Sequence, residues 1–323
     1  MLPMLSSYPA GAADRDAWIT TRRGLRNPLD PLRPYAFFVE NERDAAGAII
    51  SSAAVFLTNR ECPWRCVMCD LWRNTLTESV PSGAIPQQIR YALERLPEAH
   101  QIKLYNSGSF FDGAAIPFED HPAIAAQVTG CERVIVECHP ALVGERCLEF
   151  RDRLDGRMEA AMGLETAHPE TLARLNKRMT LEQFERAAEY LRVHDIDLRV
   201  FILVRPPFLH AEEAVEWAVR SLDFAFDCGA TAASLLSTRA GNGAMEELIA
   251  AGEFSAPDLA MLETATERGI ALNRGRVFAD LWTIDTCRSC DACRDNRISR
   301  LRTMNLEQTV PSRVHCDQCG AGR

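Results

Sequence analysis

Three cysteines share one short stretch, Cys62-Pro63-Trp64-Arg65-Cys66-Val67-Met68-Cys69, in the spacing C-x3-C-x2-C. Thiolates are soft ligands, and three this close can hold three irons of a cubane cluster while the fourth iron keeps no protein ligand. The open position is where a small molecule can be bound and given an electron. A zinc knuckle would have to borrow a fourth ligand from elsewhere, and a disulfide would need the oxidising surroundings of a secreted protein. The cluster reading accounts best for three cysteines without a fourth beside them.

A second group, Cys287, Cys290, Cys293, Cys316 and Cys319, lies in the last forty or so residues. Cys290-x2-Cys293 and Cys316-x2-Cys319 read as two facing knuckles whose four thiolates close a tetrahedral zinc site, with Cys287 spare. The rival is a second iron–sulfur cluster on Cys287, Cys290 and Cys293, closed by Cys316 or Cys319. Both readings stay open. Arg294, Arg297, Arg300 and Arg302 form a basic strip between the knuckles. On a helix the first three come together, where they would meet phosphates or the acidic barrel. This tail is expected to fold over the open side of the barrel and help bind substrate.

Stepping outward to what must carry the first loop, short apolar runs alternate with amphipathic ones. Strands are expected at Ala53–Thr58, Gln101–Asn106, Arg133–Cys138, Met158–Leu164, Leu198–Val204 and Thr231–Leu236. Helices are expected at Ile85–Leu96, His121–Val128, Gly144–Leu154, Leu181–His194 and Glu212–Asp227. Leu181, Phe184, Ala188 and Leu191 share one helical face. The alternation means a parallel sheet with helices outside, curled by right-handed crossovers toward a barrel. The fold class is therefore α/β, a partial (βα)6 TIM-like barrel over 50–280. An N-terminal extension (1–49) and a Cys-rich metal-binding tail (281–323) flank it. The extension carries Pro3, Pro9, Pro28, Pro31 and Pro34, a short helix near Asp14–Arg23, and arginines 22, 23 and 26 on a solvated face.

Barrel sites sit at the carboxyl ends of strands, and the cysteine loop follows the first strand. The second strand runs out into Asn106-Ser107-Gly108-Ser109, a turn that offers hydrogen-bonding groups and a close backbone approach. Glu137 and Glu165 end the third and fourth strands, where a carboxylate can accept from ribose hydroxyls or an ammonium group, or else form a structural salt bridge or cap a helix. Lys177 and Arg178 would balance a ligand carboxylate or end a helix in solvent. Cys131, Cys138, Cys147 and Cys228 are isolated and read as small buried hydrophobes.

In sequence order, the cysteine loop, Asn106–Phe110, Val136-Glu137 with Pro140, Gly163-Leu164-Glu165-Thr166, Leu175-Asn176-Lys177 and Phe201–Phe208 resemble the radical S-adenosylmethionine (radical SAM) superfamily. The core resembles the branch of the archaeosine synthase radical SAM subunit and the Elongator catalytic subunit. The resemblance implies a [4Fe-4S] cluster on Cys62, Cys66 and Cys69, with S-adenosyl-L-methionine chelating the open iron. It implies contacts to that cofactor from the Asn106–Ser109 turn, Glu137 and Glu165. Met68 stands before the third cysteine, where an aromatic is usual, and is counted with them. One-electron reduction would give methionine and a 5′-deoxyadenosyl radical that abstracts hydrogen from substrate. A flavodoxin- or ferredoxin-type electron donor is the implied partner.

The chain has 323 residues, 47% hydrophobic and 25% charged, enough for a sizeable core, with net charge −9. Its acidity speaks against general nucleic-acid binding. A small metabolite or natural-product intermediate is therefore favoured over tRNA, the substrate that the archaeosine resemblance implies. A non-catalytic iron–sulfur or zinc scaffold is the alternative of another class. No apolar run approaches the ~20 residues of a membrane span, and Met1 to Ala13 lacks the apolar core of a secretory signal. A cytoplasmic location and no membrane partner are expected.

Overall fold

The computed structural model describes residues 8–322, so Pro3 of the extension lies outside the described residues. Eight strands form one sheet in sequential order. They are β1 (Ala36–Arg43), β2 (Ile49–Phe56), β3 (Gln101–Tyr105), β4 (Arg133–Cys138), β5 (Arg157–Glu165), β6 (Asp197–Val204), β7 (Ala232–Ser237) and β8 (Arg276–Ala279). β1 runs antiparallel to β2, and every later pairing is parallel. The six strands read from the sequence are β2 to β7, and β1 and β8 extend the curled half-barrel at its two edges.

The helices are α1 (Ala12–Thr21), α2 (Ala84–Leu93), α3 (His121–Gln127), α4 (Glu145–Arg151), α5 (Pro169–Arg174), α6 (Leu181–Val193), α7 (Ala214–Asp227), α8 (Ala244–Ala250), α9 (Leu259–Ala271) and α10 (Arg294–Glu307). α6 begins where Thr180 and Gln183 cap each other's backbone N–H groups, at 3.2 and 2.9 Å. Phe184, Ala188 and Leu191 then bury one stripe in the main core.

Strand alternation divides the sheet into two faces. Outward residues such as Ile102, Leu104, Val134, Val136, Met158 and Val200 pack under the helices in the main core. The inner face is mixed. Near the carboxyl ends Tyr105, Ile135 and Ala161 make a small apolar layer with Phe56 and Phe201. Deeper lies a buried ion network: Arg199 pairs with Glu42 (2.6 Å) and Glu159 (2.5 Å), and Lys103 pairs with Glu42 (2.5 Å) and Glu40 (2.6 Å). Burial works against the charge of Glu42, but Arg199 and Lys103 outweigh it and hold its carboxyl well below the usual range.

The gap between the edge strands is closed by the tail, as the sequence leads one to expect. α10 packs on both β1 and β8, burying Ile298, Leu301 and Met304. Its amides continue the β8 ladder: Asn305 bonds Ala279 N and O (both 2.8 Å), and Gln308 bonds Val277 N (2.7 Å) and O (2.9 Å). Above α10, the Trp282 ring meets Phe38 and Phe56 edge-on, and its indole N–H donates to Glu40 at 2.9 Å. Of the basic strip only Arg302 is exposed. Arg297 and Arg300 are buried against Glu263 of α9, Arg300 also reaches Glu267 (2.7 Å), and Arg294 donates to the carbonyls of Ile284 and Cys287. Of the two destinations open to these arginines, Arg297 and Arg300 meet the acidic barrel. No helix among the described residues is long and apolar enough to cross a membrane.

Candidate active site

The loop from Cys62 to Cys69 leaves β2 at the carboxyl end of the sheet and is gripped from several sides. On the β4 side, Trp64 stacks on His139 with ring centroids 3.6 Å apart and planes 12° from parallel. His139 Nδ1 accepts from Ala141 N–H at 3.2 Å, so its proton sits on Nε2, facing the Lys177 carbonyl at 3.1 Å. Burial and the nearby Lys177 push His139 down to about 3, which keeps it neutral. After β5, Asn176, at φ +60°, donates to the Arg65 carbonyl (2.8 Å), and Val67 N–H donates to Leu175 O (3.0 Å). Val67 is fully buried, and Met68 packs beside it on a second apolar cluster with Leu175, Leu203 and Met245.

All three cysteines are partly exposed free thiols. Burial pushes Cys62 up to about 12 and Cys69 to about 11 and raises Cys66 as well, while Lys177 opposes the rise at Cys62 and Cys66. Thiols with so little access to water ionise when a cation takes the proton's place.

The Asn106–Ser109 turn lies directly against this loop. A Cβ on Gly108 would stand 3.2 Å from Cys62 Cβ. Ser107, at φ +56°, lies 3.2 Å through its hydroxyl from that of Tyr35, and Ser109 Oγ accepts from His139 N–H at 3.3 Å. Asn106 is fully buried, and neither polar atom of its side chain has a partner among the described residues. Glu137 props the turn from below, accepting from Asn106 N–H at 2.6 Å. Its burial pushes it up to about 7, against the backbone N–H groups of Asn106, Ser107 and Gly108, which lower it.

Glu165 ends β5 at φ +67°, where the register to β6 slips, and forms a 2.6 Å ion pair with Lys177. A side chain at Gly163 would collide with both, 2.3 Å from Glu165 Oε1 and 2.5 Å from Lys177 Nζ. Non-glycine residues held at positive φ cost energy and cluster at working sites. Arg178 leaves the site: it bonds Asp16 of α1 at 2.8 Å.

No family model matches the chain. Over 281 residues it is 26% identical to archaeosine synthase subunit beta of Methanosarcina acetivorans, a match covering 81% of this chain and 80% of that one. An uncharacterised protein of Methanocaldococcus jannaschii is 25% identical over 237 residues, 69% of this chain, and the chain spans 65% of its length. Among solved structures, Elp3 of Methanocaldococcus infernus with its N-terminus deleted superposes with a TM-score of 0.51 at 13% identity. That match covers 68% of this chain and 59% of that one. The core resembles the archaeosine synthase and Elongator branch of the radical SAM proteins.

In the tail, one sulfur from each of Cys290, Cys293, Cys316 and Cys319 lies within 4.8 Å of the others, a group that could hold a metal ion. Cys287 is not among them and is buried in the main core. Backbone N–H groups, chiefly that of Cys319, lower Cys316 to about 7, whereas burial first and the neighbouring thiols next push Cys293 up to about 12. Cys138 and Cys147 are buried and Cys131 and Cys228 half-buried, in line with the hydrophobe reading.

Several residues at the mouth are invisible to motif reading. Arg23 and Arg26 are not a solvated face: both pair with Glu61, the neighbour of Cys62, and Arg23 keeps 9% of its side chain exposed. An acid 35 or more residues away is a partner no local pattern displays. His139 carries one available signal, the apolar strand that delivers it beside Glu137.

Proposed function

We propose that this chain is a radical SAM enzyme in which Cys62, Cys66 and Cys69 hold a [4Fe-4S] cluster and S-adenosyl-L-methionine lies between that loop and the ends of β3 to β5. The observation that carries the reading is Asn106, a fully buried amide beside the cysteine loop with neither polar atom partnered. Leaving one such buried group unmet costs about 1–3 kcal/mol, so the turn is built for a ligand that brings its own donors and acceptors. When bound and reduced, the cluster and S-adenosylmethionine supply a 5′-deoxyadenosyl radical that takes hydrogen from substrate.

The side chains bind, orient and exclude water. Asn106, Ser107, Gly108 and Ser109 offer the ligand a polar cradle, and Glu137 keeps that cradle in shape. Glu165 presents a carboxylate fixed by Lys177, and Met68 walls the cysteine loop. Glu137 takes the role of support for the turn, Lys177 pairs with Glu165 and not with a ligand carboxylate, and Arg178 lies with Asp16 outside the site. Electrons come from a donor of the flavodoxin or ferredoxin type.

A small metabolite or natural-product intermediate is the favoured substrate, supported by net charge −9 and by the loss of Arg297 and Arg300 to internal ion pairs. The second reading, a modified base on tRNA, is supported by the similarity to archaeosine synthase subunit beta. For the tail we favour zinc. A single tetrahedral zinc with bonds of about 2.3 Å sets its sulfurs about 3.8 Å apart. Cys293 and Cys319 stand at 3.8 Å. A cubane gives each thiolate its own iron and so spreads them more widely.

The test is release of 5′-deoxyadenosine from anaerobically reconstituted, dithionite-reduced protein given S-adenosylmethionine. Slow release by the native chain and none by Cys66→Ala is expected. No release by either leaves the scaffold reading, and equal release by both removes the cysteine loop from the chemistry.

A further inference from the structure

The turn from Thr238 to Gly243, between β7 and α8, belongs to none of the motifs above, yet it reaches across the barrel mouth to the cysteine loop. β7 is five places from β2 in the sheet order, so this is a contact across the barrel and not one between neighbouring strands. Arg239 makes a two-pronged ion pair with Asp70, the residue after Cys69, at 2.7 and 2.8 Å. Asn242 is 2% exposed and fully engaged. Its Nδ2 donates to the carbonyls of Val67 (2.7 Å) and Cys69 (3.1 Å), and its Oδ1 accepts from Met245 N–H (2.8 Å) at the start of α8. The turn is backed by the N-terminal segment: Gly243, at φ +86°, is so close that a Cβ there would stand 1.9 Å from the Arg22 carbonyl.

We infer that Asn242 is a positioning residue for the cluster loop, holding the backbone on both sides of Met68 so that Cys66 and Cys69 keep one spacing. The inference rests on the cluster reading of that loop. The chemistry asks for an amide. One side chain must donate twice to the loop and accept once from α8, in a buried place where a net charge would be unpaired. A carboxylate supplies the acceptor only and turns a second oxygen toward two carbonyls. Outer groups that orient the ligands of a metal site are commonly worth ten- to hundredfold in metal affinity.

Asn242→Asp separates the two roles, because it keeps the cap on α8 and loses the grip on the loop. Asn242→Ala loses both. Each variant is reconstituted anaerobically beside the native chain, and iron and sulfide per chain, the electron paramagnetic resonance spectrum of the reduced protein and the thermal melt are recorded. For Asn242→Asp we expect a lowered but still cooperative melt, iron content reduced at least severalfold and a changed spectrum, whereas loss of the α8 cap alone would lower the melt and leave iron and spectrum native. Native iron loading with a native spectrum in Asn242→Asp would overturn the inference and confine Asn242 to capping α8. If the native chain takes up no more iron than Cys66→Ala, the cluster reading itself fails and the inference falls with it.

Discussion

Glu165 and Lys177 show how a strand end is turned into a binding group. A carboxylate at φ +67° is strained, and its neighbour Gly163 has no room for a side chain, yet the ion pair holds Glu165 facing the loop. Burial opposes the charge on Lys177, but Glu165, and Cys66 after it, raise its affinity for the proton. Glu165→Gln keeps the size and loses the charge. It is expected to weaken S-adenosylmethionine binding by about 1.5–3 kcal/mol, roughly ten- to hundredfold, in a chain that still folds but melts lower because Lys177 loses its counter-charge. An unchanged dissociation constant by calorimetry would make the residue structural. At this scale the sequence is most legible where partners are close in the chain, as with Cys62, Cys66 and Cys69. It is silent about Asn242 and Arg239, whose partners lie 175 and 169 residues away.

The strands were most readable from their outward faces. Val134, Val136, Met158 and Val200 mark apolar runs, whereas the inward faces carry Lys103, Glu159 and Arg199, which interrupt them. β1 escaped for the same reason: its second half, Glu40-Asn41-Glu42-Arg43, reads as a solvated loop, and only the fold brings Glu42 to Lys103 and Arg199. This pairing makes β1 part of the barrel floor. Glu42→Gln leaves two buried cations short of a counter-charge and is expected to cost about 3–5 kcal/mol near neutral pH, read from urea unfolding. Because the folded pKa of Glu42 is depressed, its contribution is complete above the ordinary carboxylate range and fades as pH falls through the depressed value. The gap between native and variant stability should therefore close on strong acidification. A gap that persisted unchanged would assign the loss to packing.

Across the whole molecule, the tail joins two edges that the sheet leaves apart. Metal analysis of a Cys62/Cys66/Cys69 triple-alanine chain tests what holds it: about one zinc per chain is expected. Iron with sulfide would instead mean a second cluster, and neither metal would leave the four thiols as a bare knot. α10 was hard to recognise because its sequence is mostly polar, although Ile298, Leu301 and Met304 trace its buried stripe. With α10 packed on both β1 and β8, a substrate of the proposed reaction would have to approach from the carboxyl ends of the strands, where the cysteine loop lies. For a polymer, that approach would mean lowering a single unit toward the loop. For a nucleic acid that means turning a base out of its stack at a cost of a few kcal/mol, least where the base is already unpaired.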